Sequence, residues 1–193
     1  MTAASGMPAD SPTPAPATPE LATPAPATPT TTAVLIGPMG AGKTRIGKRV
    51  AKELGVPFRD TDKMVVAEHG PIADLFDAHG EPHFRELERR AVERALDAGG
   101  LVSLGGGAVL DAATQADLAG LPVVLLMVSP EAVESRLGSG KRPLVRGGVA
   151  DWIRILEERR PLYESLASVT VDTSTRPHEA IAHEIADWLR STP

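Results

Sequence analysis

The sequence predicts an α/β domain: a mainly parallel sheet of about five strands, sandwiched as the middle of three α/β/α layers. Three observations predict it. From Ala33 onward, short runs rich in Val, Leu and Ile alternate with longer segments of helical period. A glycine-rich turn, Gly37–Thr44, joins the first such run directly to the first helical segment. The other glycine clusters and acidic pairs follow apolar runs or fall in irregular stretches. Strands separated by helices form βαβ units, whose right-handed crossovers force parallel pairing and cover both faces of the sheet.

Taken in order, Ala33–Ile36 is a short apolar strand, and Lys43–Leu54 a helix with Ile46, Val50 and Leu54 on one face. Val56–Arg59 reads as a short second strand. Helical pieces follow to Ala98, the longest starting near Glu81 with Phe84, Leu87, Ala91 and Ala95 in phase. Leu101–Leu104 is a strand that ends in three glycines, Asp111–Leu118 a helix, Val123–Val128 a strand and Pro130–Leu137 a helix. A Gly- and Arg-rich stretch over about 138–150 interrupts the alternation. Asp151–Arg159 is helical, Val169–Val171 is the last strand, and His178–Arg190 the last helix, with Ile181, Ile185 and Trp188 in phase.

Residues 1–32 differ from the rest. They hold eight of the 18 prolines, no Lys, Arg or aromatic residue, and the string Thr-Pro-Ala-Pro-Ala-Thr-Pro twice, at Thr13–Pro19 and Thr23–Pro29. So little apolar area cannot offset ordering entropy, which predicts a disordered, partly polyproline-II tail before a domain over 33–193. With 25 acidic and 20 basic residues the net charge is −5, which leaves no electrostatic footprint for nucleic acid. The longest apolar run, Leu121–Val128, is too short to span a bilayer, and no basic residue followed by an apolar stretch marks a secretory signal at the start. Cysteine is absent, so no disulfide framework exists and a cytoplasmic location is expected. A monomer is expected as well.

Gly37-Pro38-Met39-Gly40-Ala41-Gly42-Lys43-Thr44 satisfies the G-x-x-x-x-G-K-[ST] pattern, with a strand before it and a helix after it. Glycines let the backbone curl so that successive N–H groups point at phosphate oxygens, and the helix start adds its positive dipole end. Gly40, Ala41, Gly42, Lys43, Thr44 and Arg45 are the expected nucleotide contacts. The Lys43 ammonium reaches the β- and γ-phosphates, and the Thr44 hydroxyl suits Mg²⁺, which prefers oxygen ligands. The chain contains no asparagine, so the Asn-Lys-x-Asp guanine motif is missing and ATP is the expected nucleotide. Its size and single phosphate loop point to a small-molecule kinase.

Asp60-Thr61-Asp62 follows the second strand. Carboxylates at i and i+2 can divide labour, one at the Mg²⁺ shell and one accepting a proton from an attacking hydroxyl. The same pair reads equally as a helix N-cap with a spare acid.

The phosphate loop and Asp60-Thr61-Asp62 are followed by Gly80-Glu81-x-x-Phe84-Arg85-x-x-Glu88, Gly105-Gly106-Gly107, Arg142-Pro143-Leu144 and Arg159-x-Pro161-Leu162-Tyr163. In order and spacing this series resembles the shikimate kinase family over Ala33 to about Arg190, and so implies a P-loop kinase fold. The resemblance implies ATP-dependent phosphorylation of the shikimate 3-hydroxyl, a step of aromatic biosynthesis, with Mg²⁺. It implies that Asp62 binds the substrate hydroxyls and acts as base, and that Asp60 reaches Mg²⁺ through water. Arg85 and Arg159 would grip the substrate carboxylate, and Gly106 and Gly107 would offer backbone N–H groups. Arg142 would close over ATP as part of a lid, with Arg146 a competitor for that role, and Arg176 would line the adenine pocket. Paired guanidinium hydrogen bonds suit a small acid better than a lysine does. Two details differ from the family pattern: Lys43-Thr44-Arg45 stands where Lys-Ser-Thr is commoner, and Gly70-Pro71-Ile72 where Ser or Thr often precedes the Ile. The alternatives are a gluconate kinase-like phosphotransferase, and a nucleotide-binding regulatory module with a vestigial acceptor site.

Overall fold

A computed structural model describes residues 1–2, 30–137 and 148–192. Among the described residues, five strands form one sheet: β1 (Thr31–Ile36), β2 (Phe58–Asp60), β3 (Gly100–Ser103), β4 (Val123–Met127) and β5 (Val169–Asp172). Their order is β2-β3-β1-β4-β5, and every pairing is parallel. The helices are α1 (Lys43–Leu54), α2 (Thr61–His69), α3 (Ile72–Asp97), α4 (Ala112–Leu118), α5 (Pro130–Leu137), α6 (Gly148–Leu166) and α7 (His178–Ser191).

The central strand fixes the core. Ala33, Val34, Leu35 and Ile36 are buried on both faces of β1, as are Val123–Leu126 of β4. Burying one such side chain is worth roughly 1.5–3 kcal/mol, so these two strands are the least replaceable part of the sheet. Ile46 and Val50 of α1 pack on them, together with Ile181 and Ile185 of α7. A smaller cluster, Val65, Leu75, Phe84, Leu87 and Ala91, joins α2 to α3 beside the main core.

The structure differs from the sequence reading at several boundaries. The first strand starts at Thr31, inside the segment assigned to the tail. Thr30 accepts from the Gly100 amide at 3.0 Å and the Thr31 hydroxyl donates to Leu96 at 2.7 Å, so both threonines are tied to the β3 side of the sheet. The second strand lies at Phe58–Asp60 because it pairs in register with Leu101–Ser103, placing Asp60 opposite Ser103. The helix start expected near Glu81 is a kink within α3: Gly80 adopts φ 78°, and Pro82 follows in the next first turn, where its missing N–H costs least. Helix α6 begins at Gly148, within the range assigned to the lid, and runs past Arg159 and Pro161 to Leu166. Buried Tyr163 and the packed Leu162 and Leu166 hold that continuation. A 3₁₀ turn, Ala108–Leu110, was not expected. No helix among the described residues is long and apolar enough to cross a membrane.

Strand register also positions the site. Leu35 of β1 and Asp60 of β2 both align with Ser103 of β3. The phosphate loop, the acidic pair and the glycine triplet therefore leave the sheet at one level, beyond its carboxyl edge, where open α/β sheets bind ligands.

Candidate active site

The phosphate loop turns at glycines that only glycine suits. Gly37 has φ 131°, and a Cβ there would lie 2.2 Å from the Leu126 carbonyl oxygen. Gly40 and Gly42 both have φ 86°, and Gly42 is the N-cap of α1. Side chains bond the loop carbonyls, one from the loop itself and three from other elements. Lys43 Nζ donates to Gly37 at 2.6 Å and Pro38 at 3.0 Å, and Trp152 Nε1 to Met39 at 2.9 Å. Arg136 Nη1 donates to Gly40 at 3.0 Å, and Thr173 Oγ1 to Ala41 at 3.0 Å. Peptide planarity sets the N–H groups of Gly40, Ala41 and Gly42 on the side opposite Trp152, Arg136 and Thr173. Arg45 stands exposed in the first turn of α1.

Asp60 caps α2 and also reaches the phosphate loop. Its Oδ1 accepts from the Lys63 amide at 3.2 Å, while Oδ2 accepts from the Thr44 hydroxyl at 2.6 Å. The cap and the bond to the phosphate loop therefore coexist in a residue only 8% exposed. Two hard oxygen donors from two elements in contact suit a Mg²⁺ shell, so Thr44 and Asp60 fit the ion the sequence implies.

The acceptor side gathers the other predicted residues. A Cβ on Gly105 would lie 2.4 Å from Asp62 Oδ1 and 2.5 Å from Glu88 Oε1, and one on Gly107 would lie 2.3 Å from Arg85 Nη1. Thus Asp62, Arg85 and the glycine triplet meet at one place. The Gly105 amide donates to Thr61 Oγ1 at 3.0 Å, locking the triplet to the acidic pair. Arg85 donates to Glu88 at 2.6 Å and to Glu81 at 2.8 Å. Arg159 Nη1 donates to the Gly106 carbonyl at 3.1 Å, and the Tyr163 hydroxyl donates to the same oxygen. Burial pushes the Tyr163 phenol up from its ordinary range, against the pull of Arg159. It stays a neutral donor.

Glu88 is 4% exposed, and burial pushes its carboxyl above the usual range while Arg85 pulls it down and Asp62 adds to the rise. The sequence reading gave Glu88, Arg136, Trp152, Tyr163 and Thr173 no role of their own. Glu88 and Tyr163 stood within the quoted motifs. Nothing local marked the other three, whose partners are distant in sequence.

Not every expected residue joins the cluster. Arg176 lies beyond β5 at the same edge, its guanidinium paired with Glu184 of α7. His178, next along, sits against the phosphate loop, its Nε2 3.5 Å from where a Gly42 Cβ would be. Burial, then the charges of Arg136, Arg45 and Arg49, hold its imidazole below the ordinary range. Arg142 and Arg146 lie outside the described residues.

Comparison with known proteins places this site in a family. The shikimate kinase family profile matches residues 39–190. The shikimate kinase of Salinispora arenicola is 47% identical over 160 residues, 81% of this chain and 96% of that protein. That of Mycobacterium avium is 42% identical over 165 residues, 83% of this chain and 94% of its own length. Among solved structures, the shikimate kinase from Acinetobacter baumannii in complex with shikimate has a TM-score of 0.79 at 30% identity, covering 85% of this chain and 95% of that one. A gluconokinase from Sinorhizobium meliloti, at 21% identity and a TM-score of 0.59, shares the fold. The chain belongs to the shikimate kinase family.

Proposed function

We propose that this protein transfers the γ-phosphoryl group of ATP to the 3-hydroxyl of shikimate, giving 3-phosphoshikimate and ADP on the route to chorismate. The observation that carries the reading is the junction of two half-sites at one sheet edge: the phosphate loop lies beside the glycine triplet, with Gly37 O 3.6 Å and Met39 N 3.7 Å from where a Gly106 Cβ would lie. A donor on the loop and an acceptor on the triplet would then be neighbours. The shikimate bound by the Acinetobacter relative supports the acceptor's identity. The likeness to gluconokinase reaches only the fold.

Catalysis by such a site is positioning and charge neutralisation. Gly40, Ala41 and Gly42 with Lys43 and Thr44 would hold the phosphates, and Arg45 and Arg176 would flank the nucleotide. Thr44 and Asp60 would hold Mg²⁺, which neutralises phosphate charge when bound. Arg85 and Arg159 grip the substrate carboxylate, each steadied by a bond already made, to Glu88 and to Gly106. The amides of Gly106 and Gly107 hold the ring substituents. Asp62 accepts hydrogen bonds from the substrate hydroxyls and takes the proton of the attacking one. Arg142 supplies positive charge over the phosphates. The protein works as a cytoplasmic monomer.

A coupled ADP-release assay with shikimate and with gluconate tests the reading. Turnover with shikimate alone is expected. Preference for gluconate moves the assignment to that kinase, and turnover with neither leaves only a nucleotide-binding module.

A further inference from the structure

The three outer donors to the phosphate loop come from three elements. Arg136 is on α5, Thr173 follows β5, and Trp152 is on α6. Trp152 is 3% exposed and packed in the main core, and unlike the other two it lies on the helix that also carries Arg159 and Tyr163. Spacings of seven and eleven residues put all three on one helical face. That face bonds to both half-sites, through Trp152 to Met39 and through Arg159 and Tyr163 to Gly106.

The bond to Met39 has a directional consequence. Every described peptide is trans. Holding the Met39 carbonyl outward therefore turns the Gly40 amide inward, because the two groups share a plane and point oppositely. Gly40, at φ 86°, has no side chain to restrict that peptide plane. The indole N–H donates to the Met39 carbonyl at 2.9 Å.

We propose that Trp152 is a positioning residue for nucleotide phosphate: its indole N–H fixes the Met39–Gly40 peptide so that the Gly40 amide faces the phosphate chain. The proposal rests on the reading of Gly37–Thr44 as a nucleotide cradle, which is measured separately below. Trp152 touches no reacting atom. It acts through the loop, and it sets the loop's orientation relative to the helix that carries Arg159.

Trp152→Phe keeps most of the packing and removes the donor from a part-buried carbonyl. Calorimetry of the full chain with ADP comes first: binding by the unsubstituted protein establishes the cradle, and lack of binding overturns both readings. In Trp152→Phe, ADP affinity and kcat/KM for ATP should fall by about tenfold, while the KM for shikimate changes by less than about twofold. Trp188→Phe, away from the loop, should leave both unchanged. That variant also leaves Trp152 as the lone indole of the chain's two. ADP should then shift its emission maximum, whereas shikimate alone should not. Wild-type ADP affinity in Trp152→Phe, or a Trp152 emission that does not respond to ADP that calorimetry shows to bind, overturns the proposal. A loss of melting temperature in Trp152→Phe with nucleotide affinity intact does so too, since that is a packing role only.

Discussion

Arg85 donates from Nη1 to the Glu88 carboxylate at 2.6 Å, one turn along α3, while Gly107 lies against the same guanidinium. The pair fixes one edge of the guanidinium fork before any acceptor arrives. A lysine keeps the charge and loses the planar fork. Arg85→Lys and Arg159→Lys should each weaken shikimate binding by about tenfold or more, with ADP affinity nearly unchanged. Calorimetry with each ligand decides it. Unchanged shikimate affinity in both variants would return these arginines to a charged helix face.

Glu88 gives the site a pH signature. Burial raises its carboxyl above the ordinary value of 4.5, more than Arg85 offsets, and Asp62 adds to the rise. The folded state thus keeps a proton that the unfolded chain has released. The contribution of Glu88 to stability is then fully present below 4.5 and lost as pH rises through the raised folded value. Glu88→Gln does not titrate. Its melting temperature, minus that of the unsubstituted protein, should increase with pH from about 4.5 upward and then level off. A difference that stays constant or shrinks over that range would contradict the assigned shift.

The glycine triplet separates contact from conformation. None of Gly105, Gly106 and Gly107 has a positive φ, so backbone strain is not the issue and the cost of a methyl group is steric. At Gly107 it would press on Arg85, and at Gly105 on both Asp62 and Glu88, whereas at Gly106 the nearest atoms are 3.6 Å away or more. Gly105→Ala and Gly107→Ala should therefore raise the KM for shikimate several-fold more than Gly106→Ala does, with the KM for ATP steady in the first two. Steady-state kinetics with both substrates varied measures this. A larger acceptor defect in Gly106→Ala would mean that its backbone contacts outweigh the crowding of Arg85 and Asp62.

These contacts show where sequence is informative and where it is not. The phosphate loop is legible because its requirements are local: glycines at positive φ, a lysine and a threonine at the start of α1. Helix α1 runs over the expected residues because its apolar period is local and Gly55 caps its end. The outer braces on the loop were not legible. Arg136, Trp152 and Thr173 lie 96, 113 and 132 residues from their carbonyl partners, and a side-chain bond to a backbone carbonyl selects no particular residue type at the accepting end. The run of α6 through Pro161 was hidden for a related reason. Proline normally signals a helix end, and here Tyr163, bonded to Gly106 and buried, outweighs it. The second strand was misplaced by two residues at its start because three-residue strands have almost no period of their own, and pairing with β3 decides their register.

The acidic pair divides along the same line of contacts. Asp60 is bound to Thr44 and to the Lys63 amide, which leaves it fixed between the phosphate loop and α2. Asp62, one residue into α2, places its carboxylate beside Gly105, where the acceptor would lie. Asparagine at either position keeps the size and one acceptor oxygen but cannot take a proton at neutral pH. Positioned acid–base catalysis contributes roughly 10²–10⁴-fold, so Asp62→Asn should lower kcat by about two orders of magnitude or more with ADP affinity largely retained. A loose phosphoryl-transfer transition state calls for little proton removal early, so part of that loss reflects lost positioning of the hydroxyl. Asp60→Asn should behave differently. It can still accept from Thr44, but the carboxylate charge is gone, so half-maximal activity should need a higher Mg²⁺ concentration while kcat at saturating Mg²⁺ recovers. Measuring kcat, ADP affinity and Mg²⁺ dependence for both variants separates the two roles. If folded Asp62→Asn turns over at the wild-type rate, Asp62 is not the base. If its defect is instead rescued by added Mg²⁺, the two carboxylates have been assigned the wrong way round.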